Sequence, residues 1–322
     1  MTSDTGVDTR ELPIDDLVAL VRERVGSKPV GIEARPNGFS TKLSSYFVTL
    51  NLKDGGEMAL FVKKVLGETG SRLPDPIDRE ALVYEALGAD PDFAAPDLIG
   101  IIGGDDPHLV LDAVPGSDLR YQDLDRWLLV AGELGRMHGA FAPRVGELES
   151  FDFLVRHDAS YNMATAKLAL SVLNESKHTD ASNLIEEVVK GYGPVADELA
   201  RQPATLVHGD LAPKNILNDD RNDSRPVWFV DWEWAGIGPG LGDLADLANG
   251  LDRAMTRQML NEYVAAAGSA VPGGDAAVTR SFELALLDKT MFRLGRSIDW
   301  RVSDDVIADW ARLASSLHAG LA

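Results

Sequence analysis

Asp210, Asn215 and Asp231 are the residues whose types and spacing could do chemistry together. The first two lie in Leu206-Val207-His208-Gly209-Asp210-Leu211-Ala212-Pro213-Lys214-Asn215-Ile216-Leu217. Asn215-Ile216-Leu217 predicts the start of a short strand, the polar stretch 218–224 a turn, and residues 227–230 an antiparallel return that ends at Asp231. Such a hairpin would bring Asn215 and Asp231 together at its open end, with Asp210 in the loop entering the same end. Magnesium takes one or two protein oxygens and completes its octahedron with phosphate and water, a set that an amide and a carboxylate can supply. Asp210 is then left to accept a hydroxyl proton. Taken singly, Asp210 and Asn215 also read as turn caps and His208 as a core histidine. It is their joint spacing, followed by an apolar strand ending in Asp, that points to chemistry.

Composition narrows what else the chain can do. Its 322 residues include no cysteine, so disulfides, thiolate nucleophiles and Cys-type zinc sites are excluded and a reducing cytoplasm fits. With 51 acidic and 31 basic side chains the net charge is −20, which disfavours nucleic acid and acidic membrane surfaces as partners. No apolar run is long enough to span a bilayer, and residues 1–11 do not have the pattern of a secretory signal. The length favours two lobes sharing a cleft. The oligomeric state is left open.

The elements that must position these residues change character along the chain. From residue 30 to 113, short apolar runs alternate with turn chemistry at Pro36-Asn37-Gly38, Asp54-Gly55-Gly56 and Gly103-Gly104-Asp105-Asp106-Pro107. Residues 45–52 with 58–65, and 98–102 with 108–113, predict two antiparallel hairpins, interrupted by a helix over 78–87 that stops at Gly88. Beyond Gly116, helical periodicity dominates over 124–141, 168–173, 184–199, 244–266 and 276–317. The expected fold class is α+β and bilobal: residues 1–114 form an antiparallel sheet with one main helix, and residues 115–322 a mainly α-helical part. Gly103-Gly104-Asp105-Asp106 reads as a plain turn, and the glycines of 236–242 do not satisfy a dinucleotide-binding spacing.

His208-Gly209-Asp210 with Asn215, then Asp231, resembles the catalytic and metal motifs of the aminoglycoside phosphotransferase and choline kinase superfamily, over most of the chain. The resemblance implies a protein-kinase-like fold and transfer of the γ-phosphate of ATP, or alternatively of GTP, to a small-molecule hydroxyl. Asp210 would orient or deprotonate the hydroxyl, and Asn215 and Asp231 would hold Mg2+. The implied acceptor is an aminoglycoside, amino sugar or related antibiotic, with a choline- or homoserine-type metabolite as the alternative; a regulator that binds nucleotide without catalysis is a third reading. A protein kinase is disfavoured, because Gly209 stands where H-R-D has arginine and Trp232-Glu233 follow Asp231 where D-F-G would continue.

The same resemblance assigns the nucleotide half. Alternation along 58–65 does not choose between Lys63 and Lys64 as the phosphate cation, whereas the family pattern of three apolar residues before the lysine favours Lys63. Glu80 is its expected partner, on a helix face shared with Val83, Tyr84 and Leu87. Gly38 and Ser40, in Asn37-Gly38-Phe39-Ser40-Thr41, resemble a phosphate-covering turn, and Asp112 to Val114 resemble the hinge whose backbone meets the adenine edge. Asp243 reads either as a brace for the catalytic loop or as a helix cap, and His208 as structural. His157, Asp158, Tyr161, Trp300 and Asp304, with neighbouring Asp305, are the candidate acceptor-binding residues in the helical half.

Overall fold

A computed structural model describes residues 12–38, 44–65, 79–104, 107–176, 178–219 and 226–321. The chain divides into two compact units: Met1–Ser117 with Leu217–Glu233, and Asp118–Ile216 with Trp234–Ala322.

The first unit opens with α1 (Ile14–Val25), an element the periodicity did not reveal. Its ends are built as helix electrostatics require: Asp15 and Asp16 in the first turn, Arg22 and Arg24 in the last, and Gly26 at φ 73° returning its N–H to the Arg22 carbonyl. Strands β1 (Pro29–Pro36), β2 (Ser45–Leu52) and β3 (Glu57–Lys64) follow, then α2 (Arg79–Leu87), β4 (Leu98–Ile102) and β5 (His108–Asp112). The five strands form one sheet in the order β1-β2-β3-β5-β4, antiparallel throughout. Leu17 and Val21 of α1 pack with Val48, Leu50, Leu60, Val62 and Val110 in one apolar cluster. Burying such a side chain is worth about 1.5–3 kcal/mol, so this cluster decides which face of the sheet turns inward. Leu60 and Val62 lie on the α1 side, and strand alternation sends Lys63 to the opposite face.

After the short strand β6 (Ser117–Asp118) the chain builds the second unit through α3 (Leu124–Phe141), α4 (Val145–Leu148), β7 (Val155–Arg156), α5 (Ala159–Glu175), α6 (Thr179–Lys190), α7 (Tyr192–Leu199) and β8 (Ala204–Val207). It then returns to the first unit with β9 (Ile216–Asn218) and β10 (Val227–Phe229), and β9 lies between β10 and β6. The remainder, β11 (Gly236–Pro239), α8 (Leu241–Leu247), α9 (Arg253–Ala267), α10 (Asp275–Leu294) and α11 (Asp304–Leu321), completes the second unit. Its core joins Leu173, Ile185, Tyr192, Leu287, Met291 and Ile307 from α5, α6, α7, α10 and α11.

The long periodic stretches are broken where the backbone turns. Residues 184–199 split at Gly191 into α6 and α7, and 244–266 split around Gly250, at φ 84°, into α8 and α9. Residues 276–317 divide into α10 and α11, and 168–173 is the interior of the longer α5. No described helix is long and apolar enough to cross a membrane.

Candidate active site

In the first unit the centre is Lys63. Its Nζ donates to Glu80 Oε2 at 2.7 Å and to Asp231 Oδ1 at 2.5 Å. Burial alone would push the Lys63 ammonium down, but the two carboxylates more than reverse it and hold the charge firmly on the amine. Glu80 sits in the first turn of α2 on its inward face with Val83, Tyr84 and Leu87. Burial pushes its carboxyl up, against the pull of Lys63. Asp231 has φ 72°, left-handed backbone that a non-glycine residue adopts only when its surroundings compel it. Those surroundings are visible: Phe229 N–H donates to the Ala94 carbonyl at 2.7 Å, and the fully buried Trp232 donates Nε1–H to the Phe229 carbonyl at 2.9 Å. The Trp232 ring lies 4.6 Å from that of Phe93, and Arg79 Nη1 donates to the Glu233 carbonyl.

Gly38 lies in the turn after β1, where Asn37 N–H donates to the Ser45 carbonyl. Ser40, with Phe39 and Thr41, lies outside the described residues. Asp112 stands at the end of β5, where partial loss of water around its carboxyl together with the charge of Asp97 raises it. Ala113 N–H continues the sheet by donating to the Ala59 carbonyl, and Val114 is half-buried beyond it.

In the second unit β8 pairs antiparallel with β11 and ends at Val207, opposite Gly236. The loop that follows is held by its backbone. Asp243, in the first turn of α8, accepts the His208 N–H at 2.6 Å on Oδ2 and the Gly209 N–H at 3.0 Å on Oδ1. Its oxygens serve the loop and not its own helix. Gly209 takes φ 85°, and a Cβ there would stand 2.3 Å from the Trp234 carbonyl, so only glycine fits. From the other side Lys289 of α10 donates Nζ–H to the Gly209 carbonyl at 2.5 Å. Lys289 and Arg293 both pair with Asp246, at 2.7 and 2.8 Å, and all three are buried. His138 completes the support: Nε2 lies 3.3 Å from Asp243 Oδ2, and Nδ1 contacts the Tyr263 hydroxyl at 2.8 Å. Burial would raise Asp243, but the hydrogen bond and charge of His138, with Lys289 and His208, bring it well below the usual carboxylate range.

On this clamped loop Asp210 N–H faces His208 Nδ1 at 3.3 Å, and the Asp210 carbonyl accepts from Ala212 N–H and from Asn215 Nδ2 at 3.0 Å. Asn215 commits its amide NH2 to that bond, which turns its oxygen, the metal-binding end of the group, the other way. Among the described residues nothing hydrogen-bonds the Asp210 carboxylate. Burial and the nearby Asp246 raise it, against Lys214, His208 and Lys289.

The candidate acceptor residues divide. His157 and Tyr161 stack, with ring centroids 4.5 Å apart and planes 11° apart. Trp300 is part-exposed, 6.2 Å from the ring of Phe292. Asp158 is the N-cap of α5, accepting from Tyr161 N–H and the Ser160 hydroxyl, and these bonds lower its carboxyl. Asp304 starts α11 as an exposed side chain 3.8 Å from His178 Nε2, and the exposed Asp305 follows it. Sequence reasoning missed Asp246, Lys289, Arg293 and His138. The three-residue step from Asp243 to Asp246 on one helix, and the four-residue step from Lys289 to Arg293 within an apolar helix, were the available signals.

An antiparallel sheet with one helix packed behind its lysine, followed by a helical unit carrying a clamped aspartate loop, defines a mixed α+β fold of the protein-kinase-like kind. Residues 41–279 match the model of the phosphotransferase enzyme family, and the chain belongs to that family; it is a phosphotransferase with an alcohol group as acceptor. Solved structures similar over nearly the whole chain include the GDP complex of a mutant aminoglycoside 2'-phosphotransferase-IIIa (15% identity, TM-score 0.60, 95% of this chain and 97% of that one). Two others are macrolide 2'-phosphotransferase MphH from Brachybacterium faecium (16%, TM-score 0.57, 94% and 96%) and choline kinase LicA from Streptococcus pneumoniae (12%, TM-score 0.56, 95% and 99%). No curated protein matches the chain.

Proposed function

We propose that the protein transfers the γ-phosphate of ATP or GTP to a small-molecule hydroxyl, with Asp210 receiving the hydroxyl proton. The observation that carries this is the Asp210 carboxylate: raised by burial, without a hydrogen-bond partner among the described residues, and fixed on a loop whose backbone is held by Asp243 and Lys289. A base so placed accepts the proton while the acceptor oxygen forms its bond to the γ-phosphorus and the bond to the β-phosphate oxygen breaks, releasing the nucleoside diphosphate. Lys63, oriented by Glu80, is the cation for the nucleotide phosphates. The amide oxygen of Asn215 and the carboxylate of Asp231 have the donor chemistry that Mg2+ prefers, and the ion, when bound, neutralises charge on the phosphate oxygens. Gly38, Ser40 and the backbone of Asp112 to Val114 complete the nucleotide assignment. Catalysis of this kind is mainly positioning and charge neutralisation, which the support of the Asp210 loop suits.

The test is nucleoside-triphosphate turnover against a panel of aminoglycosides, macrolides, amino alcohols and hydroxy acids, run with ATP and with GTP. D210N should lose roughly 10²–10⁴-fold in kcat with nucleotide affinity nearly unchanged. Undiminished turnover in D210N would sink the assignment.

A further inference from the structure

The turn after α10 carries a charge that no described carboxylate pairs with and that the reaction described above does not use. Arg296 is 6% exposed, with its guanidinium carbon 3.4 Å from the ring centroid of Phe292 and 4.4 Å from that of Trp234. Those aromatic faces hold the plane of the group in place. Its Nη1 donates to the Phe292 carbonyl at 3.2 Å, whereas Nη2 is buried and has no hydrogen-bond partner among the described residues. Arg293, one turn earlier, is matched by Asp246, and no described carboxylate forms an ion pair with Arg296. A buried guanidinium left partly unmatched is costly, and proteins keep one where a ligand completes it.

The surroundings say where such a ligand would sit. Asp210 and Tyr161 lie within electrostatic reach of Arg296, and the Asp210 charge acts on it together with those of Asp246 and Asp299; burial nevertheless wins and pushes the guanidinium down from its usual value. Tyr161 stacks on His157, and Trp300 adjoins Phe292 and donates its N–H to the Arg296 carbonyl at 3.0 Å, so three residues singled out for acceptor binding or catalysis, Asp210, Tyr161 and Trp300, lie around this arginine. Of the carboxylates that would have welcomed a cationic acceptor, Asp158 is committed to capping α5, and Asp304 and Asp305 are exposed at the start of α11.

We propose that Arg296 selects the acceptor, which carries a carboxylate close to its reactive hydroxyl, the carboxylate meeting the unpartnered Nη2 while the hydroxyl faces Asp210. This rests on the reading of Asp210 as the group that receives the hydroxyl proton. A polycationic amino sugar would meet repulsion at the same place, so the acceptor class is a small hydroxy acid.

The test uses the full chain with Mg-ATP and matched acceptors that keep the hydroxyl and change one substituent: serine and homoserine, their amides, the amino alcohols lacking the carboxyl group, and kanamycin. The wild type should favour the acids over their amides by roughly 10- to 100-fold in kcat/KM, the worth of one or two charge-assisted hydrogen bonds. R296Q should raise KM for the acid by a similar factor without a matching rise for the amide, and R296K should restore part of the difference. Preference of the wild type for an amide, an amino alcohol or kanamycin overturns the proposal. So does an R296Q that raises KM for acid and amide alike. If R296Q does not fold, the wild-type panel decides alone. Where no acceptor turns over, thermal shifts with the same compounds decide: selective stabilisation by the acids supports the proposal, and no stabilisation by any acid overturns it. Failure of the underlying reading looks different, since D210N would then turn over nucleotide as well as the wild type.

Discussion

The chain contains two ion groups with the same kinds of residue and different roles. Lys63, Glu80 and Asp231 meet in the first unit, where the Lys63 and Asp231 side chains remain 17% and 28% exposed. Lys289, Arg293 and Asp246 meet in the second, where none exceeds 6%. The first group can exchange one partner for another, as the phosphate-binding role proposed for Lys63 requires. The second is closed, and its lysine gives a further hydrogen bond to a backbone carbonyl beside Asp210. Exposure thus separates a charge kept for a ligand from a charge kept for the loop.

The strongest way to break this comparison is K289M. Removing Lys289 leaves Asp246 with one partner and releases the Gly209 carbonyl. Denaturant unfolding should therefore show a loss of about 3–5 kcal/mol, insensitive to added salt. A loss below that of a surface ion pair would show that the second group is not a structural clamp.

A neighbour of the same group gives a pH test of intermediate size. The buried Asp288, which accepts from the Tyr192 hydroxyl at 2.8 Å, is raised by burial from 3.8 to about 6. Its folded form holds the proton more tightly than its unfolded form. The stability it contributes is therefore complete below pH 3.8 and lost as pH rises through about 6. D288N, which keeps an acceptor for Tyr192, should gain up to about 3 kcal/mol over the wild type at pH 7 and nothing below about pH 4. Thermal melts across that range check it, and parallel pH curves would refute the shift.

The smallest expected effect on stability comes from K63M, at about 1–2 kcal/mol, since water reaches this group. Its loss should appear in nucleotide turnover instead. Equal stability losses in K63M and K289M would erase the distinction between the two groups.

How far the sequence revealed these regions depended on whether a signal was local. The β2–β3 hairpin followed from Asp54-Gly55-Gly56, and Gly55 does take φ 86°. The β4–β5 pairing was equally legible. Alternation could not choose between Lys63 and Lys64, because the choice depends on which sheet face α1 covers, and α1 itself went unread. Helical periodicity ran across Gly191 and Gly250 because apolar spacing carries no record of a backbone turn. In the second unit Asp210 and Asn215 stood out by their spacing. Lys289 and Arg293 did not: a charge pair four residues apart looks like a solvated helix face until the packing around it is known.

The route of the chain has a consequence for synthesis. The first unit is not contiguous: Phe229 bonds to Ala94, Trp232 packs on Phe93, and Arg79 reaches the Glu233 carbonyl. When the ribosome has released residue 117, the sheet and α2 exist but the strip that covers Phe93 and fixes Asp231 has not been made. That apolar surface must wait while residues 118–216, about half of the second unit, emerge. Lys63 therefore gains its second carboxylate late, and a fragment ending at residue 117 would lack the contacts that finish its own fold.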